Sequence, residues 1–153
     1  DGATPVLVEG PLDAIAVSLA SGDAFAGLAP LGTALTDEQA DHLRPLLRPD
    51  RHVIVAADLD AAGRAAAERA YWLLTARGDT PTRLALRDGM DPAELLQTHG
   101  PDALRVTLDN ADDLATAMIA TRLTEHRSYR SAHLLCHIPS LVCPGARRYI
   151  DVY

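Results

Sequence analysis

Three acidic stations sit where three expected strands end. Glu9 follows the apolar run Pro5-Val6-Leu7-Val8. Asp58 and Asp60 follow His52-Val53-Ile54-Val55-Ala56-Ala57, and Asp91 comes shortly after the strand-like Thr82-Arg83-Leu84-Ala85-Leu86. Carboxylates repel one another, so a fold that gathers them needs a cation to hold them together. Hard oxygen donors with no Cys or His among them suit Mg²⁺ or Mn²⁺ rather than zinc. Residues two apart in an extended segment point the same way, so Asp58 and Asp60 can present their carboxylates together, with Leu59 turned toward the core. Glu9 on a neighbouring strand would complete a metal site. Taken alone, Asp-Leu-Asp better suits a strand-to-helix connection with Asp60 as the helix N-cap; Glu9 and the order of the elements turn the reading toward a metal.

The elements that must position these groups alternate. Residues 5–8 form a short buried strand. Residues 11–19 form a helix, with Leu12, Ile15, Ala16 and Leu19 on one face at helical spacing. Residues 24–29 are a weaker strand. Thr36 opens the next helix and Gln39 completes a capping box with it, while Ala40, Leu43 and Leu47 make its apolar face and Pro49 follows its end. Residues 52–57 are the clearest strand. Residues 61–77 are an Ala-rich helix closed by Gly78, and residues 82–86 a fourth strand. Asp91 suits the cap of a helix that starts at Pro92 and runs to about His99, where Gly100-Pro101 stops it. A short helix is expected over residues 102–108, and another from Asp112 or Asp113 to about Glu125. Strands separated by helices imply a mostly parallel, four-stranded sheet flanked by helices. Ligands of such α/β sheets bind beyond the carboxyl ends of the strands, the edge where Glu9, Asp58 and Asp60 fall. The expected organisation is a domain over residues 1–110, a small helical extension over 111–125 and an irregular basic tail over 126–153.

Several neighbours of the carboxylates carry a second reading beside a structural one. Gly10 lets the backbone approach a ligand closely, or is a plain turn glycine. Asp13, one helical turn beyond Glu9, reaches the same region or is a solvated first-turn acid. Gly32-Thr33 precede the second helix, where backbone N–H groups meet phosphates. Arg64 contacts a phosphate, pairs with Asp60, or sits on the surface. His133, Cys136, His137 and Cys143 match no usual zinc spacing and are expected to be incidental. Tyr71 and Trp72 are expected to pack their helix rather than stack on bases, and Arg127, Arg130, Arg147 and Arg148 to form a solvated tail.

The 153 residues suffice for one domain with a real core, and nearly half of them are apolar. No stretch approaches a membrane span or a signal peptide, and two cysteines give no disulfide framework. A cytoplasmic protein is the expectation. A chain that opens at Asp1 rather than Met is expected to be a domain of something longer, although a processed chain would look the same. The net charge of −7 is uneven: residues 1–121 carry 19 acids against nine arginines, and residues 122–153 carry two against five. An acidic body does not attract nucleic acid at long range until a metal or a neighbouring basic domain neutralises it. The complete absence of lysine disfavours phospho-accepting receiver domains and aspartate-nucleophile phosphatases, which typically need one in the active site.

Four blocks in order and at similar spacing resemble one family: Val8-Glu9-Gly10-Pro11-Leu12-Asp13, Leu31-Gly32-Thr33-Ala34-Leu35-Thr36, Ala57-Asp58-Leu59-Asp60-Ala61-Ala62-Gly63-Arg64-Ala65-Ala66 and Asp88-Gly89-Met90-Asp91-Pro92-Ala93-Glu94-Leu95-Leu96. Together they look like the Toprim domain of bacterial DnaG-type DNA primases, over roughly residues 4–110. The resemblance implies a Rossmann-like Toprim fold that binds Mg²⁺ or Mn²⁺. In it Glu9 is a metal ligand or general acid/base, Asp58 and Asp60 are metal ligands, and Asp13 and Asp91 are further acidic positions. It implies a nucleotidyltransferase of DNA replication, with single-stranded DNA template and nucleoside triphosphates reached through an upstream domain, and helicase or other replication or transfer proteins as partners.

The sequence departs from the family at Ala93, where primases carry a second acid two residues after Asp91, at Leu59, commonly Gly, and at Pro11-Leu12, usually an aromatic-Met pair. The departures suggest a divergent relative from a plasmid, phage or mobile element. Two other readings stay open: a Toprim nuclease, and a Toprim module that binds nucleic acid or a partner without catalysis.

Overall fold

Apolar strands spaced by helices resolve into the expected α/β arrangement. The computed structural model describes residues 2–32, 34–46, 51–57, 60–86 and 89–136, with side chains in the last stretch as far as Glu125. The elements run β1 (Thr4–Val8), α1 (Pro11–Ser21), β2 (Phe25–Leu28), α2 (Asp37–Leu43) with a 3₁₀ turn over Arg44–Leu46, β3 (Ile54–Ala56), α3 (Ala61–Thr75), β4 (Thr82–Arg83), α4 (Pro92–His99), α5 (Pro101–Asp109), β5 (Asp112–Asp113) and α6 (Leu114–Cys136). Two units divide the chain, residues 1–117 and residues 118–153. In the second, α6 continues past the expected stop near Glu125, and its Ile119 and Leu123 are exposed.

The sheet has the order β2-β1-β3-β4-β5. The first four strands are parallel, as their helical connections require. The fifth, Asp112–Asp113, is an unexpected antiparallel edge in which Arg83 lies opposite Asp112. Side chains alternate across the strands. Val6 and Val8 of β1 and Ile54 and Ala56 of β3 join the core with Leu95 of α4 and Leu104 and Leu108 of α5. Leu7 and Val55, on the alternate positions, line a small cavity with Ala66 and Ala67 of α3.

Two expected faces are corrected. On α1 the residues that reach the core are Ala16 and Val17, whereas Leu12, Ile15 and Leu19 stand 72%, 55% and 72% exposed. The cause is the closeness of β2. A Cβ on Gly27 would lie 2.2 Å from the Ala14 carbonyl oxygen, so the helix backbone rests directly on β2 here and turns the face of Val17 and Ser21 inward. On α3, Trp72 is 60% exposed and meets Tyr71 edge-on at 5.1 Å rather than packing the helix inward.

Long-range ties brace the frame. Asp79, only 4% exposed, accepts from the Val53 N–H at 3.0 Å and lies 2.9 Å from His52 Nδ1, joining the amino ends of β3 and β4. Arg77 beyond α3 reaches Asp41 at 2.7 Å and the Asp37 carbonyl at 3.0 Å on α2. Among the described residues, no helix is long and apolar enough to cross a membrane.

Candidate functional site

β1 and β3 are hydrogen-bonded neighbours, and Val8 pairs with Ala56, so the two strands finish side by side. The chain leaves β1 toward β2 on one side, while β3 leads to β4 on the other. The carboxyl ends of β1 and β3 therefore flank the switch point where open α/β sheets hold their ligands. Glu9 follows β1 here, on the surface, and lines a cavity of about 40 Å³ with Gly32, Pro30, Ala34 and Ala57. Ala57 precedes Asp58; Asp58 and Thr33 lie outside the described residues.

The turn after Glu9 is built around Asp13. Gly10 is the N-cap position of α1, and its N–H donates to Asp13 Oδ2 at 3.2 Å. The Ala93 N–H, at the start of α4, donates to Asp13 Oδ1 at 3.2 Å. Asp91 caps that helix, accepting from the Glu94 N–H at 2.7 Å, and Glu94 Oε2 accepts in return from the Asp91 N–H at 3.3 Å. Burial holds the Asp13 carboxyl above its ordinary value, and the nearby Asp91 carboxylate adds to the effect, against the lowering by the Ala93 and Gly10 donors. The fold thus brings Asp91 beside Gly10 and Asp13, from which it is far removed in sequence.

The remaining candidates are placed differently. Asp60 is exposed and caps α3, accepting from the Gly63 N–H at 2.7 Å. Arg64 is on the exposed first turn of the same helix. Gly32 is exposed beside the Glu9 cavity rather than at the first turn of α2, which Thr36 caps. Among the described residues, no three His, Cys, Asp or Glu side chains converge closely enough to hold a metal. Of the His/Cys group in the tail, His137 and Cys143 lie outside the described residues, as do the side chains of His133 and Cys136.

Sequence reasoning missed the Asp13–Ala93 bond. Its donor is a main-chain N–H that any residue but proline supplies, so the residue type at position 93 carries no signal for it. It also missed Arg83, which lines a second cavity beside β4.

Comparison with known proteins agrees with this architecture. A family model described as Toprim-like matches residues 6–96. A DNA primase of Clostridium acetobutylicum is 36% identical over 110 residues, which cover 72% of this chain and 18% of that protein. A DNA primase of Treponema pallidum is 35% identical over 121 residues, 79% of this chain and 19% of that one. The chain thus spans less than a fifth of either relative. Among solved structures, the RNA polymerase domain of Mycobacterium tuberculosis primase DnaG superposes with a TM-score of 0.65 at 32% identity, covering 77% of this chain and 39% of that one. A DnaG primase catalytic domain bound to single-stranded DNA gives 0.63 at 28% identity, covering 80% and 38%. The chain belongs to the Toprim-like family, and its fold is the Toprim domain of DnaG-type primases.

Proposed function

We propose that this chain is the metal-binding catalytic module of a primase-like nucleotidyltransferase. One observation carries the reading. β1 and β3 end in register at the switch point of the sheet, and the residues that follow them are Glu9 and, two positions beyond Ala56, Asp58. Glu9, Asp58 and Asp60, with Asp13 and Asp91 beside Gly10, offer only oxygen donors, a set that fits Mg²⁺ or Mn²⁺. A bound ion would supply the positive charge that offsets the carboxylates and the negative charge developing on a transferring phosphoryl group. Glu9 acts as ligand or acid/base. Gly10, without a side chain, leaves the backbone open to close approach, and Gly32, Thr33 and Arg64 would be the contacts to the phosphates. Single-stranded DNA template and nucleoside triphosphates are the substrates, reached through an upstream domain, in the cytoplasm and alongside a helicase or other replication protein.

Calorimetric titration of Mn²⁺ tests the site. The wild type should bind and Asp58→Asn/Asp60→Asn should not; equal binding by the double variant refutes the metal site. In the longer parent protein, Glu9→Gln should abolish oligoribonucleotide synthesis on single-stranded template. A second reading, a binding module without catalysis, is favoured by Ala93, which offers no carboxylate where the resemblance implies a second acid two residues after Asp91. It predicts that Glu9→Gln leaves DNA binding unchanged and that the parent protein makes no oligoribonucleotide.

A further inference from the structure

The cavity beside Glu9 holds about 40 Å³, room for an ion or a water but not for a nucleotide. A larger ligand that reaches Glu9 must extend over the rim. Pro30 and Gly32 line the cavity, and Leu31 between them stands 82% exposed. A lone exposed leucine is ordinary. This one, however, is held at a φ of +55°, and among the described residues no other residue with a side chain has a positive φ. The left-handed region crowds the Cβ of an L-residue against the following carbonyl oxygen and costs free energy. Glycine enters it freely, yet the adjacent Gly32 is not in it. The turn is held in this shape from outside. The Gln39 side-chain amide donates to the Pro30 carbonyl at 2.7 Å, and Arg69 Nε donates to the Leu35 carbonyl at 2.8 Å. Packing does not offset the cost, because the leucine side chain is in solvent.

We propose that Leu31 is a nucleotide-contact residue, held at the rim of the Glu9 cavity so that its side chain packs against the face of a nucleobase. This rests on the nucleotidyl-transfer reading above. A costly backbone conformation that the core does not need, fixed by its surroundings, is a mark of ligand-binding segments. Leucine is among the side chains that pack against base faces. The base is the part of a nucleotide that can cover it, since an aliphatic side chain offers a phosphate neither charge nor donor. With the phosphates and their ion beside Glu9, the rest of the nucleotide lies outside a cavity of this size, where the rim is.

The test is titration of the 153-residue chain with GTP and with inorganic triphosphate in saturating Mg²⁺, followed by the amide signals of Gly32 and Ala34, beside thermal melts. GTP should shift both signals and bind more tightly than triphosphate. Leu31→Gly should weaken GTP roughly 3- to 30-fold, the worth of covering part of a leucine side chain, and leave triphosphate unchanged. Leu31→Met keeps an apolar contact and should keep most of the GTP affinity. The melts separate a contact from a scaffold role. Glycine and asparagine both tolerate the left-handed region, so Leu31→Gly and Leu31→Asn should melt no lower than wild type while binding GTP less well. Mn²⁺ binding by all three variants should match wild type. Its absence from wild type would refute the metal site, whereas failure of the Leu31 contact shows while Mn²⁺ still binds. The proposal is overturned if wild type binds GTP no better than triphosphate, if folded Leu31→Gly binds GTP as tightly as wild type or weakens both ligands alike, or if Leu31→Gly and Leu31→Asn melt below wild type.

Discussion

Replacing Gly27 by alanine asks how tightly the helix that begins at the site is pressed against the sheet. A Cβ at this position would stand 2.2 Å from the Ala14 carbonyl oxygen, 2.5 Å from its Cα and 2.7 Å from its carbonyl carbon. All three are main-chain atoms, which no rotamer change can move aside. Restoring ordinary contact at 3.4 Å or more requires α1 and β2 to part by about 1 Å. Overpacking of this kind costs roughly 1–3 kcal/mol, and a main-chain obstacle puts it at the upper end. For a domain of this size, ~3 kcal/mol lowers Tm by roughly 6–12 °C. Thermal unfolding followed by circular dichroism measures it, with Gly32→Ala as the control, since a Cβ there meets nothing within 4 Å. Because α1 carries Asp13, the amide signals of Gly10 and Ala93 should also move in Gly27→Ala. A Tm within about 1 °C of wild type, with those signals in place, would refute the packing argument.

Asp79→Ala strips the buried Val53 N–H of its acceptor, while the His52 ring loses one partner and keeps Thr80 Oγ1 at 2.9 Å. A buried donor left unpaired costs about 1–3 kcal/mol, so the urea midpoint should fall, and fall less for Asp79→Asn, which retains an acceptor; equal losses would count against the role of the Val53 bond. Asp13 gives a pH dependence. Its folded carboxyl is raised above 3.8, so the folded chain holds a proton that the unfolded chain releases, and stability falls as pH rises through the window from 3.8 to the raised value. The stability of wild type relative to Asp13→Asn, from urea melts at stepped pH, should therefore decline with rising pH across that window; a rising difference would refute the sign.

Features set by neighbours in sequence were legible. The Thr36–Gln39 capping box and the Asp91 cap before Pro92 appear as read, because a cap needs only residues three apart. The parallel strands followed from apolar runs spaced by helices. What escaped depends on the assembled fold. Leu12, Ile15 and Leu19 form a valid helical stripe, yet α1 rests its backbone on β2 at Gly27 and turns Ala16, Val17 and Ser21 inward instead. Nothing local marks Asp112–Asp113 as a strand; pairing with β4 makes it one. At the candidate site, the place of Glu9 directly after β1 was legible, and the N-cap alternative for Asp60 is what the structure displays. The bond from Ala93 to Asp13 crosses 80 residues and is written only in the packing of α1 against α4.

The two helix caps have a consequence for any ion that binds nearby. Asp60 and Asp91 each give Oδ1 to a helix N–H, at 2.7 Å in both cases. Such a bond is worth about 0.5–2 kcal/mol to the helix. A cation that draws either oxygen away must forfeit that amount, a factor of roughly 2 to 30 in its affinity, whereas one that takes only Oδ2 forfeits nothing. Coupling of this kind is reciprocal. Fraying the first turn of α3 or α4 would free an oxygen and tighten the ion, and saturating ion would loosen the turn, so amide exchange at Gly63 and Glu94 would report how the ion is held.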